Sequence, residues 1–158
     1  MGLYPTRKRN RIENYDYSQP CVVLITICTK DRRPLFGVVE SRPDTPVTVL
    51  SGLGQLVETA ISGIDVHYQN VTVETHSILP NHVHLLLRLD AANNPNPPSV
   101  SRIIKQFKEY VTKSWGENVW QKGFHDHIVR TEEDYLNAWN YVTYNPAKWE
   151  SDENYVKQ

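Results

Sequence analysis

Cys21 to Thr29 reads CVVLITICT, a nearly unbroken apolar run rich in β-branched side chains, and predicts a buried strand. Asp31 to Pro34 breaks it. Residues 36–48 carry Pro and Gly between short Val runs, which predicts a loop or weak hairpin. From Val49 to His67 the period changes. Leu50, Leu53, Val57, Ala60, Ile61 and Ile64 recur at three- and four-residue steps and form one helix face, with Gly52, Gly54 and Gly63 working against it. Val71–Ile78 alternates as a strand does, Leu79-Pro80-Asn81 turns, and His82–Leu89 forms a second strand, together a hairpin. After a Pro/Asn loop at 91–98, Ser99–Trp115 is helical, with Ile103, Ile104, Phe107 and Val111 inward and Gly116 as the stop. Phe124–Arg130 is a short strand. Thr131-Glu132-Glu133-Asp134 opens a last helix running to about Tyr144, where Pro146 ends it.

The order strand, helix, strand, strand, helix, strand, helix predicts an α+β protein. The central hairpin points to a ferredoxin-like antiparallel sheet, of split β-α-β type, with helices packed on one face. A length of 158 residues suits one domain across 1–158. Hydrophobic residues at 39% and charged residues at 22% fit a soluble globular chain. No apolar run is long enough for a membrane span. The N-terminal charges precede no apolar stretch, so a cytoplasmic location is expected. A net charge of −1 excludes a polycation, so nucleic-acid binding must come from local patches. Cys21 and Cys28 are too few for a four-thiolate zinc site.

Three groups of residues carry candidate chemistry. On a strand, His82 and His84 point the same way and can chelate one metal while Val83 anchors the other side. If the hairpin turns about Pro80, His76 lies across from His84, with Glu74 one step along, which completes a three-histidine zinc hydrolase site. His125-Asp126-His127 repeats the spacing without an apolar anchor between. Tyr141 and Asn145 lie four apart and share a helical face, on an aromatic helix with Tyr135, Leu136 and Trp139 packing towards the sheet. Basic residues cluster at Arg7, Lys8, Arg9 and Arg11, at Lys30, Arg32 and Arg33, and at Arg102, Lys105, Lys108 and Lys113, the last group interleaved with Phe107, Tyr110 and Trp115. Such a mixture suits a phosphate backbone with stacked bases; it also suits a solvated helix face.

Leu79-Pro80-Asn81-His82-Val83-His84 resembles the PNHVH signature of HUH endonucleases, in the single-tyrosine transposase branch. Trp120 to Arg130 (WQKGFHDHIVR) and Tyr141 to Trp149 (YVTYNPAKW) are similar to two further blocks of that branch, in the same order. Tyr15-Asp16-Tyr17, Ile25 to Thr29 and Leu35-Phe36-Gly37 add to the likeness, which spans nearly the whole chain. The REP-associated, transposase-like proteins are the most similar subgroup. The resemblance implies a ferredoxin-like sheet carrying His82 and His84 as ligands of Mg2+ or Mn2+. It implies Tyr141 as the nucleophile and Asn145 as third ligand or its orienter. The implied substrate is single-stranded DNA beside a hairpin, cut through a 5′-phosphotyrosine. His127 matches a family position, but no role carries over to it.

Two histidines lean towards manganese, since magnesium prefers oxygen ligands. The chain would act as a monomer or homodimer. Two other readings stay open: a zinc-dependent hydrolase using His76, His82 and His84, and a non-catalytic, domesticated hairpin-DNA-binding protein. Tyr144 is the alternative nucleophile.

Overall fold

The computed structural model describes residues 21–90 and 98–157. The basic arm at Arg7, Lys8, Arg9 and Arg11, the motif at Tyr15–Tyr17 and most of the Pro/Asn loop lie outside them. β1 (Cys21–Cys28) is one of the two inner strands of a four-stranded antiparallel sheet. It pairs on one side with β5 (His82–Leu89) and on the other with β6 (His125–Val129), and β4 (Val71–Leu79) closes the edge beyond β5. Thr26 sits opposite His84, and Cys28 opposite His82. The order β4-β5-β1-β6 is that of a split β-α-β sheet, as the hairpin implied. Residues 36–48 fall in and around a small separate hairpin, β2 (Gly37–Glu40) with β3 (Val47–Leu50).

α1 (Gly52–Ser62) and α3 (Val100–Trp115) cover one sheet face. Under them, Val23, Ile25 and Ile27 of β1 and Val83, Leu85 and Leu87 of β5 form the main core. Ser51 caps α1 by accepting from Gly54 N at 3.1 Å, and Ser99 caps α3 through Arg102 N at 3.1 Å. Gly54 reads as a helix weakness but is a packing need, since a Cβ there would sit 2.1 Å from the Phe36 carbonyl oxygen. A short turn, α2 (Ile64–His67), follows α1. Gly116 ends α3 at φ +101, in the left-handed region.

The two helices of the split unit thus share one face, and α4 (Glu132–Thr143) takes the other. Ala138 and Val142 pack there on Val22, Leu24, Leu86 and Val129. The physical reason lies in β1 and β5, which are apolar on both faces and need a cover on each. Thr131 caps α4 by accepting from Asp134 N at 3.0 Å, and its first turn holds Glu132, Glu133 and Asp134 against the positive helix end. α4 ends at Thr143 with Tyr144 as its C-cap, where the pattern predicts, and the chain continues as a 3-10 turn over Asn145–Ser151. No helix among the described residues is long and apolar enough to cross a membrane.

Candidate active site

His82 and His84 project from β5 onto the α4 face of the sheet, buried at 0% and 1% exposure, with ring centroids 4.7 Å apart. Each Nδ1 is engaged. Thr26 Oγ1 lies 2.9 Å from that of His84. The His82 Nδ1 lies 2.8 Å from Asn81 Oδ1. Asn81 is itself fixed, because its Nδ2 donates to the carbonyls of Arg32 at 3.1 Å and Asn154 at 2.6 Å. Its oxygen must therefore face His82 and accept, which sets the Nδ1–H tautomer and leaves the Nε2 lone pair open. Both Nε2 atoms are buried with no hydrogen-bond partner among the described residues. Such groups carry the full desolvation cost.

Asp152 completes the cluster. One ligand atom from each of His82, His84 and Asp152 lies within 4.8 Å of the other two. Asp152 Oδ2 is 3.4 Å from His82 Nε2, an ion-pair distance rather than a good hydrogen bond. Two donors about 2.1 Å from one ion stand at most about 4.2 Å apart, so the His82–Asp152 pair already has the spacing of a shared cation. Burial pushes the Asp152 carboxyl up, but the neighbouring His82, the Asn154 N–H and His84 outweigh it and hold it below its usual range. Burial, with His82 adding, pushes His84 well down, so this ring is neutral and a competent ligand. The donor set of two imidazoles and a carboxylate, with two orphaned lone pairs, fits a divalent ion.

Tyr141 reaches the same place from α4. Its ring lies edge-on to His84 at 5.0 Å between centroids. Burial, with the charges of Asp152 and Glu153, pushes its phenol up to about 12, against a hydrogen bond to Asn145 that pulls it down. Asn145 lies just past α4 in the 3-10 turn rather than on the same helix, yet still meets Tyr141. It is buried, and its Oδ1 has no partner among the described residues. Trp149 roofs the site with its ring 6.0 Å from that of His82, backed by Tyr155 at 5.2 Å. Tyr144, the other nucleophile candidate, is 58% exposed at the end of α4.

His76 is not across from His84. The turn is centred between Pro80 and Asn81, so Ser77 faces His84 and His76 faces Leu85. A one-residue shift reverses the face of every side chain. A bulge at Glu74 restores the other register further along β4. His76 therefore lies on the α1 side, with its Nε2 3.0 Å from Glu58 Oε1, which removes the three-histidine zinc site. Glu74 pairs with Arg88 instead. In β6, His127 Nε2 lies 2.8 Å from Asp134 Oδ2 at the start of α4, an anchor for that helix, and His125 is half-buried opposite Thr26.

The basic residues divide. Arg102 and Lys105 are exposed on α3, on the sheet face away from the histidines. Lys108 is half-buried and donates to the carbonyls of Gln121 and Gly123. Arg32 and Arg33 lie just after β1, at the His82 end of the sheet. Asp152 and Asn81 are the site residues that sequence reasoning missed. The only signal for Asp152 was an acid three positions beyond Trp149.

No family model matches the chain. Over 173 aligned residues it is 30% identical to an uncharacterized protein of Haemophilus influenzae, covering 95% of this chain and 93% of that one. It is 32% identical over 72 residues to the REP-associated tyrosine transposase of Escherichia coli, a stretch covering 45% of this chain and 41% of that protein. The fold matches the structure of a REP-associated tyrosine transposase bound to a REP hairpin, with a TM-score of 0.62 and 22% identity. That match covers 87% of this chain and 74% of the other.

Proposed function

From the likeness to REP-associated tyrosine transposases in sequence and fold, we propose that the chain belongs to that family and nicks and rejoins single-stranded DNA through a phosphotyrosine on Tyr141. The observation that carries this reading is the meeting of Tyr141 with His84 and the orphaned Nε2 atoms of both histidines on one sheet face.

His82, His84 and Asp152 would hold the metal, and Asn145, which meets Tyr141 and keeps a buried Oδ1 without a partner among the described residues, is the candidate for a further donor. Two nitrogen donors favour Mn2+ over Mg2+ at this site. A bound ion would polarise a non-bridging oxygen of the scissile phosphate and offset charge in the transition state. Tyr141 Oη forms a bond to phosphorus as the bond to the 3′ oxygen breaks. The phenol proton leaves to solvent and the departing oxygen takes one up, giving a 5′-phosphotyrosine and a free 3′-hydroxyl. Reversal with a second 3′-hydroxyl rejoins a strand without ATP.

The phenol is poorly ionised while Asp152 is a free carboxylate, since that charge helps raise it. Were Asp152 to serve as a ligand, its charge would be offset and one of the two kinds of influence that raise the phenol would weaken, burial remaining the larger. Asn145 supports the phenolate through its hydrogen bond. All these groups come from one chain, which suits a monomer. The substrate would be single-stranded DNA next to a hairpin.

The test is a denaturing gel with an end-labelled single-stranded oligonucleotide from a hairpin flank. A protein–DNA conjugate that needs Mn2+ or Mg2+ and vanishes in Tyr141→Phe supports the reading. Hairpin binding without any conjugate, in any metal, supports a DNA-binding protein that does not cut.

A further inference from the structure

Beside the candidate site, the chain builds a cationic cleft of about 980 Å3. The turn after β1 supplies Lys30, Asp31 and Arg32; the segment before β6 supplies Trp120 and Lys122; Lys108 reaches in from α3. Four cations face a single carboxylate there, in a chain whose net charge is −1. The surplus is local, and local fields steer anionic partners.

The cleft is built rather than incidental. Asp31 and Arg32 both hold left-handed backbone, at φ 56 and 55, which L side chains disfavour. Thr29 Oγ1 donates to the Arg33 carbonyl at 2.8 Å, and Asn81 Nδ2 donates to that of Arg32. The amide that orients His82 thus also clamps the basic turn. Lys108 pins the opposite wall through the Gln121 and Gly123 carbonyls, so its charge is partly spent on structure. Lys30, Arg32 and Lys122 are exposed.

The cleft is continuous with the histidine face. Gln121, Lys122 and Gly123 line it and also line a narrower groove of about 250 Å3 that includes Thr26 and Cys28. Thr26 touches His84, and Cys28 lies opposite His82. In the other direction, Lys30 and Asn118 are shared with a third depression, lined by Arg33 and Trp115. Trp115 is 44% exposed at the end of α3. Cations followed by an open aromatic face suit a phosphodiester strand with a stacked base.

We propose that single-stranded DNA leaves the candidate site along this groove, past Lys122, across Lys30 and Arg32, and stacks a base on Trp115. This rests on the DNA reading above and adds the route of the strand. Arg102 and Lys105, on the outer side of α3, take no part in it.

The test is fluorescence anisotropy of a labelled single-stranded oligonucleotide with the full chain, across a salt series. Lys30→Glu with Lys122→Glu should weaken binding at least tenfold at low salt. It should lower the slope of log K against log salt by about 1.4, at about 0.7 per phosphate contact. Trp115→Ala should weaken binding about tenfold and reduce the quenching of tryptophan emission by DNA. Arg102→Glu should do neither, and Mn2+ binding should be unchanged in all of these variants. Wild-type binding with an unaltered double variant, or an equal loss in Arg102→Glu, overturns the route alone. Absence of single-strand binding by the wild type at low salt overturns the DNA reading and the route with it.

Discussion

Asp152→Asn removes a charge from the candidate metal site while keeping the side chain's shape. The carboxylate stands 3.4 Å from His82 Nε2 and is almost fully buried, with 5% side-chain exposure. A lost outer partner of a metal ligand typically costs 10–100-fold in affinity. A lost charged ligand belongs at or above the upper end, so the working figure is about 100-fold. At a Mn2+ concentration of about 100 times the wild-type Kd, the ion stabilises the wild type by about 2.7 kcal/mol, but the variant by only about 0.4 kcal/mol. For a chain of this length, those energies correspond to roughly 5–11 °C and roughly 1–2 °C of thermal shift. Differential scanning calorimetry with and without Mn2+ reads both. Each protein is compared with itself with and without Mn2+, so the stability that the metal-free variant loses with the Asp152 charge drops out of the comparison. An equal Mn2+ shift in variant and wild type would refute Asp152 as a ligand.

Three further outcomes follow from the same geometry. Asn81→Ala should lower Mn2+ affinity 10–100-fold in calorimetric titration, because it frees the His82 tautomer and ring, and an unchanged Kd would count against that role. Leu85→Ala, at a fully buried core position, should cost about 2–5 kcal/mol in urea unfolding, and a loss below 1 kcal/mol would contradict the packing. In metal-free protein, the unfolded chain takes up a proton near pH 6.5 that buried His84 refuses, so stability should fall as pH drops below that value. The slope from this residue is at most about 1.4 kcal/mol per pH unit. His84→Asn should flatten the fall between pH 7 and 5.5, and parallel curves would rule it out.

The sheet was readable because its signals are local. β1 and β5 announce themselves by apolar runs, α1, α3 and α4 by period, and α4 also by the helix opening at Thr131. Those same runs also held the sign of a cover on each face, which α4 supplies. The pair His82 and His84 was legible because strand alternation puts i and i+2 together. His76 was placed wrongly because one residue at the turn centre decides its face, and the bulge at Glu74 has no marker in composition. Asp152 was invisible for a different reason. It approaches His82 across seventy positions of chain, from a non-periodic segment after a 3-10 turn, so no spacing rule reaches it. Asn81 reads only as a turn residue, and its three bonds emerge only from the folded contacts.

The claim on which the account rests is that Tyr141, rather than its exposed neighbour Tyr144, becomes bonded to DNA. Mass spectrometry of the trapped conjugate after proteolysis locates the nucleotide within the segment that holds both. The account predicts the added phosphonucleotide on Tyr141 and full conjugate yield in Tyr144→Phe. A modification on Tyr144, or a conjugate that persists in Tyr141→Phe, would contradict it.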